Sequence, residues 1–329
     1  MGVGAVNVAV DTTPLRLTRA GTARYLRSLL PLVERDVTLK QLQGYANGRV
    51  GTLWLDLAWY PHVLPHRAKG ADVLHCPTYR GPIHSGVPVV VTVHDLAVFR
   101  RPEAFPPWTR TYSRLVVPRV VRAARIVAAV SEFTAAELES ILQVPSGRIR
   151  VVPNAASPSF TEDGPRADGD YVLAVATLEP RKNIARSIEA ARRLGIELRV
   201  AGMHGWGGVE AEGPGVSWVG FASDDELARL YRGARCVVYP SLYEGFGIPV
   251  LEAMACGVPV VTSRGGATEE VAGGAAVLVD PEDVDSIAAG IEEAIARRDE
   301  LRPDGLRRAR DYSWEESARK LVAAYEDAA

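Results

Sequence analysis

Along the chain, short β-branched apolar runs alternate with longer stretches whose apolar residues recur at helical spacing. The runs are Val6–Asp11, Asp72–Cys76, Val87–Val93, Arg125–Ser131, Tyr171–Thr177, Glu197–Gly202, Cys236–Pro240 and Val258–Thr262. Most are continuously apolar rather than alternating, the pattern of strands covered on both faces. Helical spacing marks Thr22–Val33, Phe133–Leu142, Ile184–Leu194 and Asp224–Ala234 between them. Repeated strand–helix order predicts an α/β fold with doubly wound parallel sheets. Ser223-Asp224-Asp225-Glu226 is a capping box that starts one of these helices. Trp314, Ala318, Leu321, Val322 and Tyr325 give the last stretch one apolar face, predicting a helix docked at the end of the chain.

The apolar rhythm lapses between Pro158 and Asp170, where Ser, Thr, Gly, Pro and Asp crowd together. With 329 residues, two domains of roughly 150 are expected. The reading is an N-terminal Rossmann-like domain over 1–163, a C-terminal one over 164–311 and a helix over 312–329 packing back on the first, with a cleft between the domains. Composition is that of a soluble globular protein, 47% hydrophobic and 24% charged. A net charge of −2 argues against a general nucleic-acid binder. The three cysteines, Cys76, Cys236 and Cys256, cannot form a disulfide framework. With no export signal visible and no apolar run long enough to span a membrane, a cytoplasmic location is expected.

The most informative segment runs from Tyr239 to Gly257: a strand end, a loop with Gly245 and Gly247, then a helix with Pro249 near its start and Gly257 as its left-handed cap. Free backbone N–H groups and the helix dipole at such a start favour phosphate. Glu244 in the loop and Glu252 in the helix are suited to separate hydroxyls of one ligand, and together these features describe a nucleotide sugar. Arg181-Lys182-Asn183 follow another strand and supply two cations for a diphosphate. Lysine occurs only at positions 40, 69, 182 and 320, so Lys182 is the one lysine in a site motif. His94-Asp95 end the strand Val87–Val93, where a histidine can reach a sugar hydroxyl. No metal-ligand spacing links the histidines, and no metal site is expected.

In this order, Val10-Asp11 to Arg24-Tyr25, Val93-His94-Asp95-Leu96, Val130-Ser-Glu-Phe-Thr134, Val152-Pro-Asn154, Glu179-Pro-Arg-Lys-Asn183 and the Glu244–Glu252 block resemble a family-4 glycosyltransferase of the two-Rossmann-domain (GT-B) architecture. The last block is the family's E-x7-E motif. The resemblance implies a retaining, metal-independent enzyme, without a cofactor, that moves a hexosyl group from a nucleotide sugar to a hydroxyl of a glycan, glycolipid or small molecule. It implies that Glu244 contacts the donor sugar and Glu252 the ribose, that Gly245, Phe246 and Gly247 meet sugar and phosphates, and that Leu251 adjoins them. Arg181 and Lys182 would hold the diphosphate, His94 would touch the transferred sugar, Gly21 would lie in the loop before the first helix near donor phosphate or acceptor, and Gly220-Phe221 would sit near the base. The similarity to the bacterial mannosyltransferase branch puts GDP-mannose first, with UDP-glucose or another UDP-sugar as the alternative. This chain departs from the family in having Ala20 and Ala23 near Gly21, and Ala155 after Asn154.

Two rivals share the fold class. A nicotinamide enzyme should carry its glycine fingerprint after the first strand, but Gly2-Val-Gly4 precedes it. A non-catalytic sugar-nucleotide sensor would not need the full set of charged residues. Arg110, Arg114, Arg122 and Arg125, read as one helical face, would give a peripheral contact with anionic lipid. Trp54, Trp59 and Tyr60 read first as core, and as sugar-stacking rings second.

Overall fold

The computed structural model describes residues 6–18, 21–46 and 48–329. Gly2, Gly4 and Ala20 lie outside these residues. The chain forms two units: residues up to Arg100 with Phe105–Asn154 and Trp314–Ala329, and Arg101–Ala104 with Ala155–Ser313.

The first unit carries strands β1 (Asn7–Asp11), β2 (Thr38–Leu42), β3 (Val73–Cys76), β4 (Val89–Val93), β5 (Ile126–Ala129) and β6 (Ile149–Val151). They form one parallel sheet in the order β2-β1-β3-β4-β5-β6. The second unit carries β7 (Tyr171–Val175), β8 (Glu197–Ala201), β9 (Val216–Gly220), β10 (Val237–Tyr239), β11 (Val260–Ser263) and β12 (Val277–Val279). Its parallel order is β12-β11-β10-β7-β8-β9. Counted from its own first strand, that is the dinucleotide-binding order 3-2-1-4-5-6, while the first unit follows the flavodoxin-like order. Each sheet therefore reverses its winding at one point, between β1 and β3 in the first and between β7 and β10 in the second. Both units are Rossmann-like.

The eight apolar runs of the sequence are the eight interior strands. β2, β6, β9 and β12 are the four sheet edges. β4 is buried at all five positions, whereas β2 and β9 leave most positions exposed or half-buried. Only a strand covered on both faces needs to be apolar throughout.

The helix Gly21–Val33 buries Ala23, Tyr25, Leu26, Leu29, Leu30 and Val33 on one side. The last helix, Trp314–Ala328, lies in the same unit: Trp314 meets the Tyr25 ring edge-on at 6.3 Å, and Ser317 Oγ donates to the Pro153 carbonyl at 2.6 Å. The segment 155–163, assigned to the N-terminal domain by composition, belongs with the second unit. There Phe160 packs edge-on against Tyr231 at 5.7 Å, and Arg232 donates to the carbonyls of Thr161 and Pro165 at 3.1 and 2.8 Å.

The capping box forms as its spacing predicts, with Ser223 Oγ accepting from Glu226 N and Glu226 Oε2 accepting from Ser223 N at 2.8 Å. Ser223→Ala is expected to lower stability by about 1 kcal/mol, read as a shift of the urea midpoint with unchanged slope. The stretch from Arg110 to Arg125 makes two helices, Pro107–Leu115 and Val117–Ala123, with Arg125 beyond the second, so the four arginines do not lie on one continuous helix. Among the described residues no helix is long and apolar enough to cross a membrane.

Candidate active site

In open α/β sheets, ligands sit outside the carboxyl ends of the strands where the winding reverses. At that point of the second unit, β7 leads through Leu178 and Glu179 into a single 3₁₀ turn, Pro180–Lys182, and β10 leads into the loop holding Glu244. The turn and the loop are joined by Leu242 N donating to the Arg181 carbonyl at 2.8 Å. Asn183, left-handed at φ 60°, ends the turn and anchors it by donating to the carbonyls of Pro240 and Pro281 at 2.9 and 2.6 Å.

The geometry brings Arg181, Lys182 and Glu244 together. Arg181 Nη1 donates to Glu244 Oε2 at 3.0 Å, and Lys182 Nζ to Glu244 Oε1 at 2.6 Å. Tyr239 hydroxyl donates to Glu244 Oε1 at 2.9 Å and lies 3.0 Å from Lys182 Nζ. On its other edge, Arg181 donates from Nε to Glu179 Oε2 at 2.9 Å. The side chains are 14% exposed for Arg181, 12% for Lys182, 9% for Glu244 and 7% for Glu179, so these charges interact with little screening by water.

Burial alone would raise Glu244, but Lys182 and then Arg181 outweigh it and hold the carboxyl down at about 2. Burial and the neighbouring Arg181 push the Lys182 ammonium down, with Glu244 opposing. Burial raises Glu179 against the pull of Arg181 and Lys182. Tyr239 and Glu179 were not singled out as site residues by sequence. Both lie at the carboxyl ends of interior strands next to the reversal, and that position is the signal that could have found them.

The loop beyond Glu244 is held by glycine at a place where another residue would be strained. Gly247 caps the helix Ile248–Ala255 at φ 112°, and a Cβ there would stand 3.0 Å from Thr268 Cγ2. Phe246 is buried edge-on against Tyr312 at 5.6 Å, and Gly245 and Gly247 are buried beside it. The other candidates fall elsewhere. Leu251 is fully buried in this helix. Glu252 is equally buried and accepts from the Tyr231 hydroxyl at 2.9 Å, so its carboxylate is engaged inside the unit rather than displayed with Glu244. Gly220 ends β9 at φ 78°, and Phe221 beyond it is 57% exposed.

The reversal point of the first unit holds a pocket of about 300 Å³, lined by Tyr60, Thr78, Arg80, His94 and Asp95 among others. His94 follows β4 and has its Nε2 2.9 Å from the Pro77 carbonyl. A carbonyl only accepts, so Nε2 carries the proton and Nδ1 is the acceptor nitrogen. Burial lowers His94, with Pro77 and Asp95 opposing. Arg80 Nε lies 3.5 Å from Asp56 Oδ1, and Trp108 donates to Asp56 Oδ2 at 3.2 Å. Gly21 is not in a loop. It opens the helix Gly21–Val33, after a short helix at Pro14–Leu17, and a Cβ there would meet nothing within 4 Å. Trp59 and Tyr60 belong to the core, while Trp54 is exposed.

Two family models cover these units. Residues 25–160 match Glycosyltransferase Family 4, and residues 159–311 match Glycosyl transferases group 1. The chain is similar to the O-antigen chain mannosyltransferase B of Escherichia coli, 33% identical over 77% of this chain and 74% of that one. It is also similar to the MMP alpha-(1->4)-mannosyltransferase of Mycolicibacterium hassiacum, 32% identical over 74% and 66%. Among solved structures, the sucrose-phosphate synthase of Thermosynechococcus elongatus aligns with a TM-score of 0.81 at 20% identity, over 98% of each chain. The matched models, the relatives and the two Rossmann-like sheets place the chain in glycosyltransferase family 4: it is a glycosyltransferase with the GT-B fold.

Proposed function

We propose that the enzyme moves a hexosyl group, mannose from GDP-mannose in the first instance, to a hydroxyl of a glycan, glycolipid or small molecule, with retention of configuration. The observation that carries this reading is the pair of buried cations, Arg181 and Lys182, at the winding reversal of the second unit. Two fixed positive groups there suit a diphosphate leaving group, whose charge grows as the glycosidic bond breaks. The names of the relatives favour mannose. The pocket of the first unit, with its hydroxyl, imidazole and carboxylate lining, suits an acceptor sugar. Retention then follows from same-face attack on an oxocarbenium-like sugar, with a leaving phosphate oxygen taking the acceptor's proton. Arg181 and Lys182 supply the charge neutralisation that a divalent ion would otherwise give.

Thermal-shift measurements with GDP, UDP, ADP and TDP, each with and without magnesium, test the donor side. GDP is expected to raise the melting temperature independently of magnesium. At a hundred times the dissociation constant the stabilisation is about 2.7 kcal/mol, and it should vanish in Arg181→Ala. A response to UDP alone would transfer the reading to a UDP-sugar. No response to any nucleotide, with folded protein, would reject it.

A further inference from the structure

The charges of the cluster cancel. Arg181 and Lys182 contribute two positive charges, and Glu179 and Glu244 two negative ones, all on side chains that are mostly buried. Glu244 spans both cations, whereas Glu179 meets Arg181 at its Nε edge, two residues along the same turn. Glu179 is thus short-range and built into the turn, and it stays beside Arg181 whatever the loop carrying Glu244 does. A site meant only to hold phosphate tightly would gain from leaving Arg181 without this second carboxylate.

This arrangement matters because substrate and product differ in charge. In a nucleotide sugar the diphosphate is esterified at both ends and carries two negative charges. The free nucleoside diphosphate left after transfer has a terminal phosphate and carries close to three at neutral pH. In a poorly screened site each added charge is felt strongly, and a carboxylate fixed near the guanidinium opposes a ligand carrying three charges more than one carrying two.

Resting on the donor reading above, we propose that Glu179 is a specificity-determining residue: it keeps the cluster neutral, so that the site favours the doubly esterified diphosphate over the free nucleoside diphosphate and lets the spent product leave. It acts through Arg181 and need not touch the transferred sugar.

The test compares dissociation constants for GDP-mannose and GDP, measured by calorimetry at pH 7.5, in the wild type, Glu179→Gln and Glu179→Ala. UDP-glucose and UDP are used if uracil is the base that binds. Glutamine keeps the volume and the hydrogen-bond acceptor facing Arg181 and removes only the charge. Both variants should bind GDP about tenfold more tightly and GDP-mannose only about fivefold more tightly, so that the preference for donor over product falls about twofold. Product inhibition of turnover should rise in parallel.

If glutamine behaves like the wild type and only alanine changes, Glu179 merely orients Arg181, and the proposal fails. It fails equally if both ligands shift by the same factor, or if GDP weakens. Absence of binding by either nucleotide pair to the wild type would instead reject the donor reading on which the proposal stands.

Discussion

Lys182→Met will lower turnover of the responding nucleotide sugar by two to three orders of magnitude and will also destabilise the protein; adding Glu244→Gln will restore the stability without restoring the turnover. The two effects have separate causes. Loss of one fixed positive group facing a developing leaving-group charge typically costs a factor of about 10²–10³. The stability loss comes from Glu244, whose carboxylate is 9% exposed and held mainly by Lys182 at 2.6 Å and Arg181 at 3.0 Å. Removing one partner of a buried pair leaves charge uncompensated, at a cost of about 3–5 kcal/mol when nothing remains to balance it. Here Arg181 remains, so about 2 kcal/mol is expected. In the double variant Arg181 and Glu179 balance one to one, and stability should return to within about 1 kcal/mol of the wild type. Urea denaturation gives the stabilities and GDP-mannose turnover the activity. A single variant with wild-type turnover would remove Lys182 from the site, and equal stability of single and double variants would refute the charge argument.

The second large effect concerns the last helix. His75 in β3 is fully buried. Its Nε2 lies 2.9 Å from Thr92 Oγ1, and its Nδ1 lies 2.8 Å from the hydroxyl of Tyr325. Tyr25 hydroxyl approaches the same Thr92 at 3.3 Å. This buried chain of polar groups joins two strands, the helix Gly21–Val33 and the last helix. Tyr325→Phe leaves a ring nitrogen of His75 without its partner and should cost about 1–3 kcal/mol.

The same network makes folding sensitive to acid. Burial, with His94 adding to it, lowers His75 from 6.5 to about 3. Between those values the unfolded chain binds the proton and the native chain does not. The contribution is therefore complete above pH 6.5 and is lost as pH falls, by about 1.4 kcal/mol per unit. Asp11, raised to about 6 chiefly by burial, works in the opposite direction over part of this range. The His75 contribution must accordingly be read as the difference between the wild type and His75→Gln. That difference should shrink by about 2–3 kcal/mol from pH 6.5 to 4.5, and the His75 imidazole should remain neutral by NMR throughout. A His75 resonance titrating near 6.5 would overturn the account.

Much of the site was legible before any coordinates. The glycine loop, Arg181, Lys182 and Glu244 stand out because phosphate chemistry restricts which residues serve, and Gly247 because only glycine adopts its backbone there. Spacing along a helix shows that Glu252 and Leu251 lie near the motif, but not how deeply their side chains are buried, and both are fully buried. For the arginines from 110 to 125, spacing likewise does not show the break between the two helices.

The sequence by itself determined the α/β class, the interior strands, the helix caps and the family resemblance. The first three follow from short-range physics: burial on both faces enforces apolar runs, left-handed positions demand glycine, and capping is local. The four edge strands, the pairing of Glu179 with Arg181, the engagement of Glu252 by Tyr231 and the His75–Tyr325 bond needed the tertiary structure. β2 and β9 escape the apolar rule because water reaches most of their positions. A buried charge is set by what the fold brings against it, and His75 and Tyr325 meet across 250 positions of sequence, beyond the reach of any local pattern.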